Sequence, residues 1–183
     1  MLITVLVITL LIVSLIFWMI STYNQFVTLA ERVTNGKAQI ATQIESRWDA
    51  VKSLIQATKK YSRYEVETLE SVTGKRISVG KESSINEMEK DETELNNVVG
   101  RLIAISENYP DLKASEVYRN TMDSINKYED NVRGARMIYN DVVTKFNRQL
   151  KMFPSNMVAK LFNFTEKEYF QGTETKQEMP GWE

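Results

Sequence analysis

The chain has 183 residues and a net charge of −1, with 23 Lys and Arg against 24 Asp and Glu, so no broad basic field favours nucleic acid across the molecule. It contains neither His nor Cys. That excludes disulfides, thiolate nucleophiles, His-dependent triads, His-Glu-x-x-His zinc sites and Glu-x-x-His di-iron pairs, and leaves carboxylate, Lys, Tyr and Ser chemistry.

The first stretch, Leu2 to Ile20, is apolar all the way round and carries no charge. Its 19 residues span roughly 28 Å as a helix at ~1.5 Å per residue, the thickness of a bilayer's hydrocarbon core. Trp18 and Tyr23 stand at its C-terminal end, where amphipathic rings favour the membrane interface. No Lys or Arg precedes the run and no Ala-x-Ala follows it, so the expectation is a retained anchor rather than a cleaved leader. The first basic residues beyond it are Arg32 and Lys37, and the excess of cations on that side predicts a cytoplasmic body.

From Tyr23 onward apolar residues recur at helical spacing: Phe26, Ala30, Val33, Ile40, Ile44, Trp48, Val51, Ile55, Thr58, Tyr61, Leu69 and Val72. No Pro interrupts them, and the pattern predicts one long helix to about Thr73, continuous with the membrane span. Gly74 and Gly80 then mark a loop to Ser83. Ser84-Ile-Asn-Glu87 is a capping-box pattern opening a second helix to Tyr109, with Ile85, Met88, Leu95, Val99 and Leu102 on one face. Pro110 to Lys113 reads as a turn. Ser115 is a suitable N-cap for a third helix carrying Tyr118, Met122, Ile125, Val132, Ala135, Tyr139, Val143, Phe146 and Leu150. Ser155 is expected to cap a short last helix, 156–163. The polar stretch 172–183 reads as a disordered tail.

Long amphipathic helices joined by short connections predict an all-α fold: an N-terminal transmembrane helix (1–22) followed by a long antiparallel up-and-down helical bundle of three to four helices (23–171). Charge fits that packing. Ser83–Leu112 holds seven acidic and two basic residues, whereas Tyr23–Glu82 holds ten basic and seven acidic.

Three groups of residues bear on chemistry. Glu129, Arg133, Arg136, Asn140 and Asn147 share one face of the third helix, with Tyr139 beside them. Such a stripe forms either a buried polar network, a partner site or an ordinary wet face with a local Glu129–Arg133 pair. A third group is expected to join Glu129 and Arg136, and Arg47 and Glu65 are the candidates on the first long helix. Lys59, Lys60 and Arg63, interleaved with Tyr61 and Tyr64, have the composition of a nucleic-acid or headgroup surface. They read better as a solvated face with Tyr61 in the core, because no wider basic surface supports them. Glu65, Glu67, Glu70, Glu87, Glu89, Asp91, Glu92 and Glu94 are oxygen donors, but carboxylates spread along helices rarely converge on one cation, and no metal or other cofactor is expected.

Several blocks carry a resemblance. They are Tyr23-Asn24-Gln25-Phe26-Val27, Tyr109-Pro110-Asp111-Leu112-Lys113-Ala114, and Glu129 followed by Ala135-Arg136-x-x-Tyr139-Asn140. Phe146-Asn147, Phe153-Pro154-Ser155-Asn156-Met157-Val158-Ala159, Phe162-Asn163-Phe164 and Tyr169-Phe170 complete the series. In order and spacing the chain resembles the LemA family of bacterial membrane-anchored proteins over about residues 1–171. Arg47, Asp49, Glu65 and Arg76 also match that pattern, while Lys52 stands where the family usually has Pro, which argues against a helix break there. The resemblance implies a single-pass membrane protein with a cytoplasmic or envelope-facing helical bundle and no established enzymatic activity. Some members occur beside membrane metalloproteases, which implies a membrane protein partner.

The reading that follows is a non-enzymatic membrane-anchored interaction or scaffold protein, with Arg47, Glu65, Glu129, Arg136, Tyr139 and Asn140 as its interaction or network residues and Leu2, Trp18, Ile20 and Tyr23 marking its anchor. The alternative is a homo-oligomeric scaffold using outward apolar residues such as Trp48, Met137 and Ile138. An enzyme built on carboxylate or Lys chemistry is the least favoured reading.

Overall fold

The computed structural model describes residues 1–74 and 78–170, and the backbone alone of residues 63–65, 68 and 72. The described residues form α1 (Leu2–Thr58), α2 (Arg63–Thr73), α3 (Ile85–Asn108), α4 (Pro110–Ala114), α5 (Glu116–Lys151) and α6 (Ser155–Leu161). The fold is all-α.

Helix α1 runs 57 residues without interruption, roughly 85 Å at ~1.5 Å per residue. Its apolar first third is exposed all round, and its buried residues begin at Thr22 and Phe26. The helix passes straight through Lys52, as the missing Pro predicts. It does not reach Thr73. The chain turns at Lys59–Ser62 and restarts as α2, which lies back against α1 through Gln56 Nε2 donating to Glu70 Oε1 at 2.8 Å and Lys59 pairing with Glu70 at 3.5 Å. The reason is local. Ser62-Arg63-Tyr64-Glu65 is itself a Ser-x-x-Glu helix start, and Lys59 and Lys60 place cations at the negative end of α1. Val66 and Leu69 of α2 are fully buried, so the turn brings a second apolar face onto the core rather than extending the first.

The chain then returns towards the anchor, with Val79 and Gly80 beside Ala41 and Glu45. Residues 75–77, Arg76 among them, lie outside the described residues. Helix α3 rises from Ser84, whose hydroxyl accepts from the Glu87 amide while the Glu87 carboxylate accepts from the Ser84 amide at 2.7 Å. The Ser84 amide first, and then the Ser84 hydroxyl donating to the same carboxylate at 3.0 Å, hold the Glu87 carboxyl below its usual range. Pro110–Lys113 is not a plain turn but part of one helical turn, α4, with Pro at its start and Leu112 fully buried. Ser115 caps α5 by accepting from the Tyr118 amide, and α5 descends the length of the body antiparallel to α1.

Where α1 and α5 meet most closely, a Cβ on Gly36 would stand 3.2 Å from the Tyr139 ring, tighter than ordinary contact, so glycine permits the approach. Ser155 does not cap α6. Its hydroxyl donates to the Gln149 and Met152 carbonyls, and Pro154 holds the cap position. At the other end of α6, Asn163 takes a left-handed conformation (φ 56°) while its amide donates to Lys160 O and the Phe164 amide to Ala159 O. That is a Schellman ending with Asn in the place glycine usually takes, and it explains the Phe162-Asn163-Phe164 block. Residues 164–170 then run back along α5 without regular secondary structure. Trp48 is fully buried, so it belongs to the core rather than to an outer oligomer face, whereas Met137 and Ile138 are exposed as expected.

Candidate functional site

Half-way along the body, α1, α3 and α5 place charged groups against one another. Arg47 is 2% exposed, and its Nη2 donates to Glu129 Oε2 at 2.7 Å. Arg133, one turn beyond Glu129 on α5, reaches the other carboxylate oxygen at 3.6 Å from the surface. Arg136 does not pair with Glu129. It pairs with Glu92 of α3, and both side chains are largely buried. Trp48 Nε1 donates to the buried Asp91 carboxylate of α3 at 3.0 Å. The Arg47–Glu129, Arg136–Glu92 and Trp48–Asp91 links each tie one helix to another.

Burial pushes the Arg47 guanidinium below its usual range, with Glu129 opposing that shift. Burial does the same to Arg136, where Glu89 opposes it and Arg47 adds to it, so the two guanidinium groups feel each other. Arg47 Nε and Nη1 and Arg136 Nε are buried and meet no acceptor among the described residues. Desolvating donors without acceptors costs on the order of 1–3 kcal/mol each, which offsets part of what the ion pairs return.

Nearer the anchor, α5 holds the returning segment by its backbone. Asn147 donates from Nδ2 to Lys167 O at 2.8 Å and accepts from the Lys167 amide at 2.9 Å. Asn140 does the same with Phe170, at 3.0 Å in both directions. The spacings agree: seven helical residues rise about 10 Å, and three extended residues cover about the same distance. Tyr139 Oη donates to Glu168 O at 3.0 Å between the two clamps. Its hydroxyl pKa is pushed up to about 12, first by burial and then by the Glu168 carboxylate. Phe170 is buried with its ring edge-on to Tyr139, and the Arg136 guanidinium carbon lies 5.1 Å from its centre. Below, Phe164 stacks on Phe26 at 4.8 Å and meets Phe146 at 6.3 Å.

The structure therefore brings Arg47 and Glu129 together directly. It places Arg136 beside them but on Glu92, and it employs Tyr139 and Asn140 on the returning segment. The Glu65 side chain lies outside the described residues. Tyr61 is exposed rather than in the core, Lys60 is exposed, and Lys59 pairs with Glu70. Of the anchor residues, Leu2 and Ile20 are exposed, Trp18 is half-buried, and the Tyr23 ring lies 4.6 Å from that of Phe162. Among the described residues, no three carboxylates are placed to hold a metal ion. Sequence reasoning missed Glu92 and Asp91 as partners and the backbone clamp of Asn140 and Asn147. The signal for the clamp was present in two Asn seven apart on one face of α5, followed by Phe164 and Phe170 beyond the last helix.

A model of the LemA family matches residues 36–182, which is most of the chain. The chain belongs to the LemA family. The match begins at Gly36 and leaves out the apolar span. Among its relatives are the magnetosome proteins MamQ 1 and MamQ 2 of Paramagnetospirillum magneticum, each 24% identical over 87% of this chain and 68% of the relative. Protein LemA of Metamycoplasma hominis is 26% identical over 84% of this chain and 71% of the relative. None of these family members carries an enzyme's name, and the long apolar helix at the start of this chain suits membrane association.

Proposed function

We propose that the chain is a single-pass membrane-anchored scaffold whose helical body, on the cytoplasmic side, binds a membrane protein partner such as a membrane metalloprotease. The observation that carries this reading is the continuity of α1. One helix forms both the apolar span and the central element of the body, so the body is held at a fixed height above the bilayer with no flexible linker. Such a stalk suits presenting helix faces to neighbouring membrane proteins. Arg47, Arg136, Tyr139 and Asn140 serve to keep the body rigid, because their described side-chain bonds are internal. The outward face left for a partner includes Met137 and Ile138 on α5, 69% and 60% exposed.

Purification in mild detergent followed by quantitative mass spectrometry tests the reading. A membrane protein should accompany the wild-type chain and be lost with Met137→Asp, Ile138→Asp. A chain that purifies alone as a monomer overturns it. Protease added to intact cells should spare the body, and cleavage from outside would reverse the orientation. The same exposed pair favours a second reading, self-association into a scaffold, which cross-linking between copies through Ile138 would support.

A further inference from the structure

At the foot of the body, the segment joining α5 to α6 leaves an apolar surface uncovered. Phe153 is 78% exposed, Met157 62% and Leu161 63%, and Met152 beside them is exposed as well. Met157 and Leu161, four apart on α6, share one face of it, and the exposed Phe153 stands in the turn just before the helix, while Val158 and Ala159 on the other side of α6 are buried against α1 and α5. Exposed apolar residues gathered on one short element mark a contact surface more often than scattered ones do.

The antiparallel register of α1 and α5 fixes where this surface lies. Gln149 bonds to Gln25 at 3.1 Å and Phe146 lies edge-on to Phe26 at 5.8 Å. Each further residue of α5 descends ~1.5 Å towards the span. Residues 151–153 therefore stand level with Ser21 to Tyr23, within about 5 Å of Ile20 where the apolar run ends. Phe162, at the far end of α6, touches the Tyr23 ring. The same level is a polarity boundary on α1, where a hollow of about 550 Å³ has Phe17 and Ile20 in one part of its wall and Asn24, Gln25 and Arg32 in another. Arg148 and Lys160 are exposed beside the apolar set, and Lys151 there pairs with Glu166 at 2.8 Å. Apolar anchors flanked by cations at this depth are the composition of an element that lies in a membrane interface.

We infer that Met152, Phe153, Met157 and Leu161 form a foot that lies in the headgroup layer of the bilayer, so that the body rests on the membrane through α6 as well as hanging from α1. The inference rests on the reading that Leu2–Ile20 crosses that membrane. The bilayer is the occupant because it is already present at this height wherever the span is inserted, and no partner need be ordered to cover the surface. Two supports at one level restrict the body's tilt and rotation, which sets the direction in which α5 presents its outer face.

The chain has no native cysteine, so single labels are straightforward. Full-length Phe153→Cys, Met157→Cys and Leu161→Cys, each carrying an environment-sensitive fluorophore, are reconstituted in vesicles of phosphatidylcholine and phosphatidylglycerol containing lipids brominated at shallow acyl positions. Val13→Cys reports on the span, and Ile138→Cys, about 25 Å beyond Ile20 along the axis, reports on exposed body surface. The expected result is blue-shifted emission and several-fold stronger quenching at 153, 157 and 161 than at 138. Quenching at 13 with none at 153, 157 or 161 overturns the foot and leaves the span intact. No quenching at 13 overturns the membrane reading on which both stand. A blue shift at 153, 157 and 161 that rises with the protein-to-lipid ratio and ignores brominated lipid assigns the surface to a second copy and overturns the inference.

Discussion

The two halves of the body are held by opposite means. Near the apolar run, Phe26, Phe146 and Phe164 pack ring on ring, Tyr23 and Phe162 close the lower edge, and the Asn140 and Asn147 side chains bond to backbone groups of the returning segment. Farther up, three helices meet over Arg47, Glu129, Arg136, Glu92, Trp48 and Asp91. The lower half gains stability from area removed from water, with polar groups satisfied locally. The upper half places charges where burial costs more than pairing fully returns, and so contributes register and specificity. Removing a charge should accordingly be felt in the upper half, and removing a ring in the lower.

The largest expected effect is in the lower half. Phe26 is fully buried between two other rings, and Phe26→Ala should cost about 3–5 kcal/mol with little dependence on salt, read by urea unfolding of the full chain in mild detergent. The buried Trp48 serves as a probe of that transition. Lys52→Pro tests the continuity of α1 just beyond the upper cluster. Inside the helix it removes a hydrogen bond and clashes with the preceding turn, at about 3 kcal/mol, and an unchanged midpoint would show a break where α1 is continuous.

Glu129→Ala should cost about 2 kcal/mol, because Arg47 would stay buried without its carboxylate while the 40% exposure of Glu129 lets solvent screen part of the loss. Arg47→Met, which removes the buried charge itself, should cost less than Glu129→Ala, and the reverse order would show that the pair stabilises rather than specifies. Asn147→Ala removes both clamps on Lys167 and should cost about 1–2 kcal/mol, with faster trypsin cleavage after Lys167 as the local readout.

The smallest effect is a pH dependence in the lower half. The folded chain holds the Tyr139 proton up to about 12, whereas the group ordinarily titrates at 10.0. Its contribution is therefore whole below about pH 10 and is lost as pH rises through about 12. Tyr139→Phe should flatten the fall in stability over that window relative to wild type, and parallel curves for the two would remove Tyr139 as its source.

What the residues dictated locally is what survived intact. The apolar run of Leu2–Ile20, the Ser84–Glu87 capping box, the Ser115 cap and the period of α5 each depend on neighbours within one or two turns, and each appears as the sequence predicts. Two expectations failed: the apolar spacing runs on past Thr58 although α1 ends there, and Ser155 turns its hydroxyl back to α5 instead of capping α6. The motif blocks marked Glu129, Arg136, Tyr139 and Asn140 without saying what they touch. That choice was made by tertiary structure. Which carboxylate meets Arg136 depends on the height of α3 against α5, and which backbone groups meet Asn140 and Asn147 depends on the left-handed turn at Asn163 sending the chain back up the body. Periodicity assigns a residue to a face, but the partner across that face is set by the relative height of two elements far apart in sequence, and no local pattern carries that height.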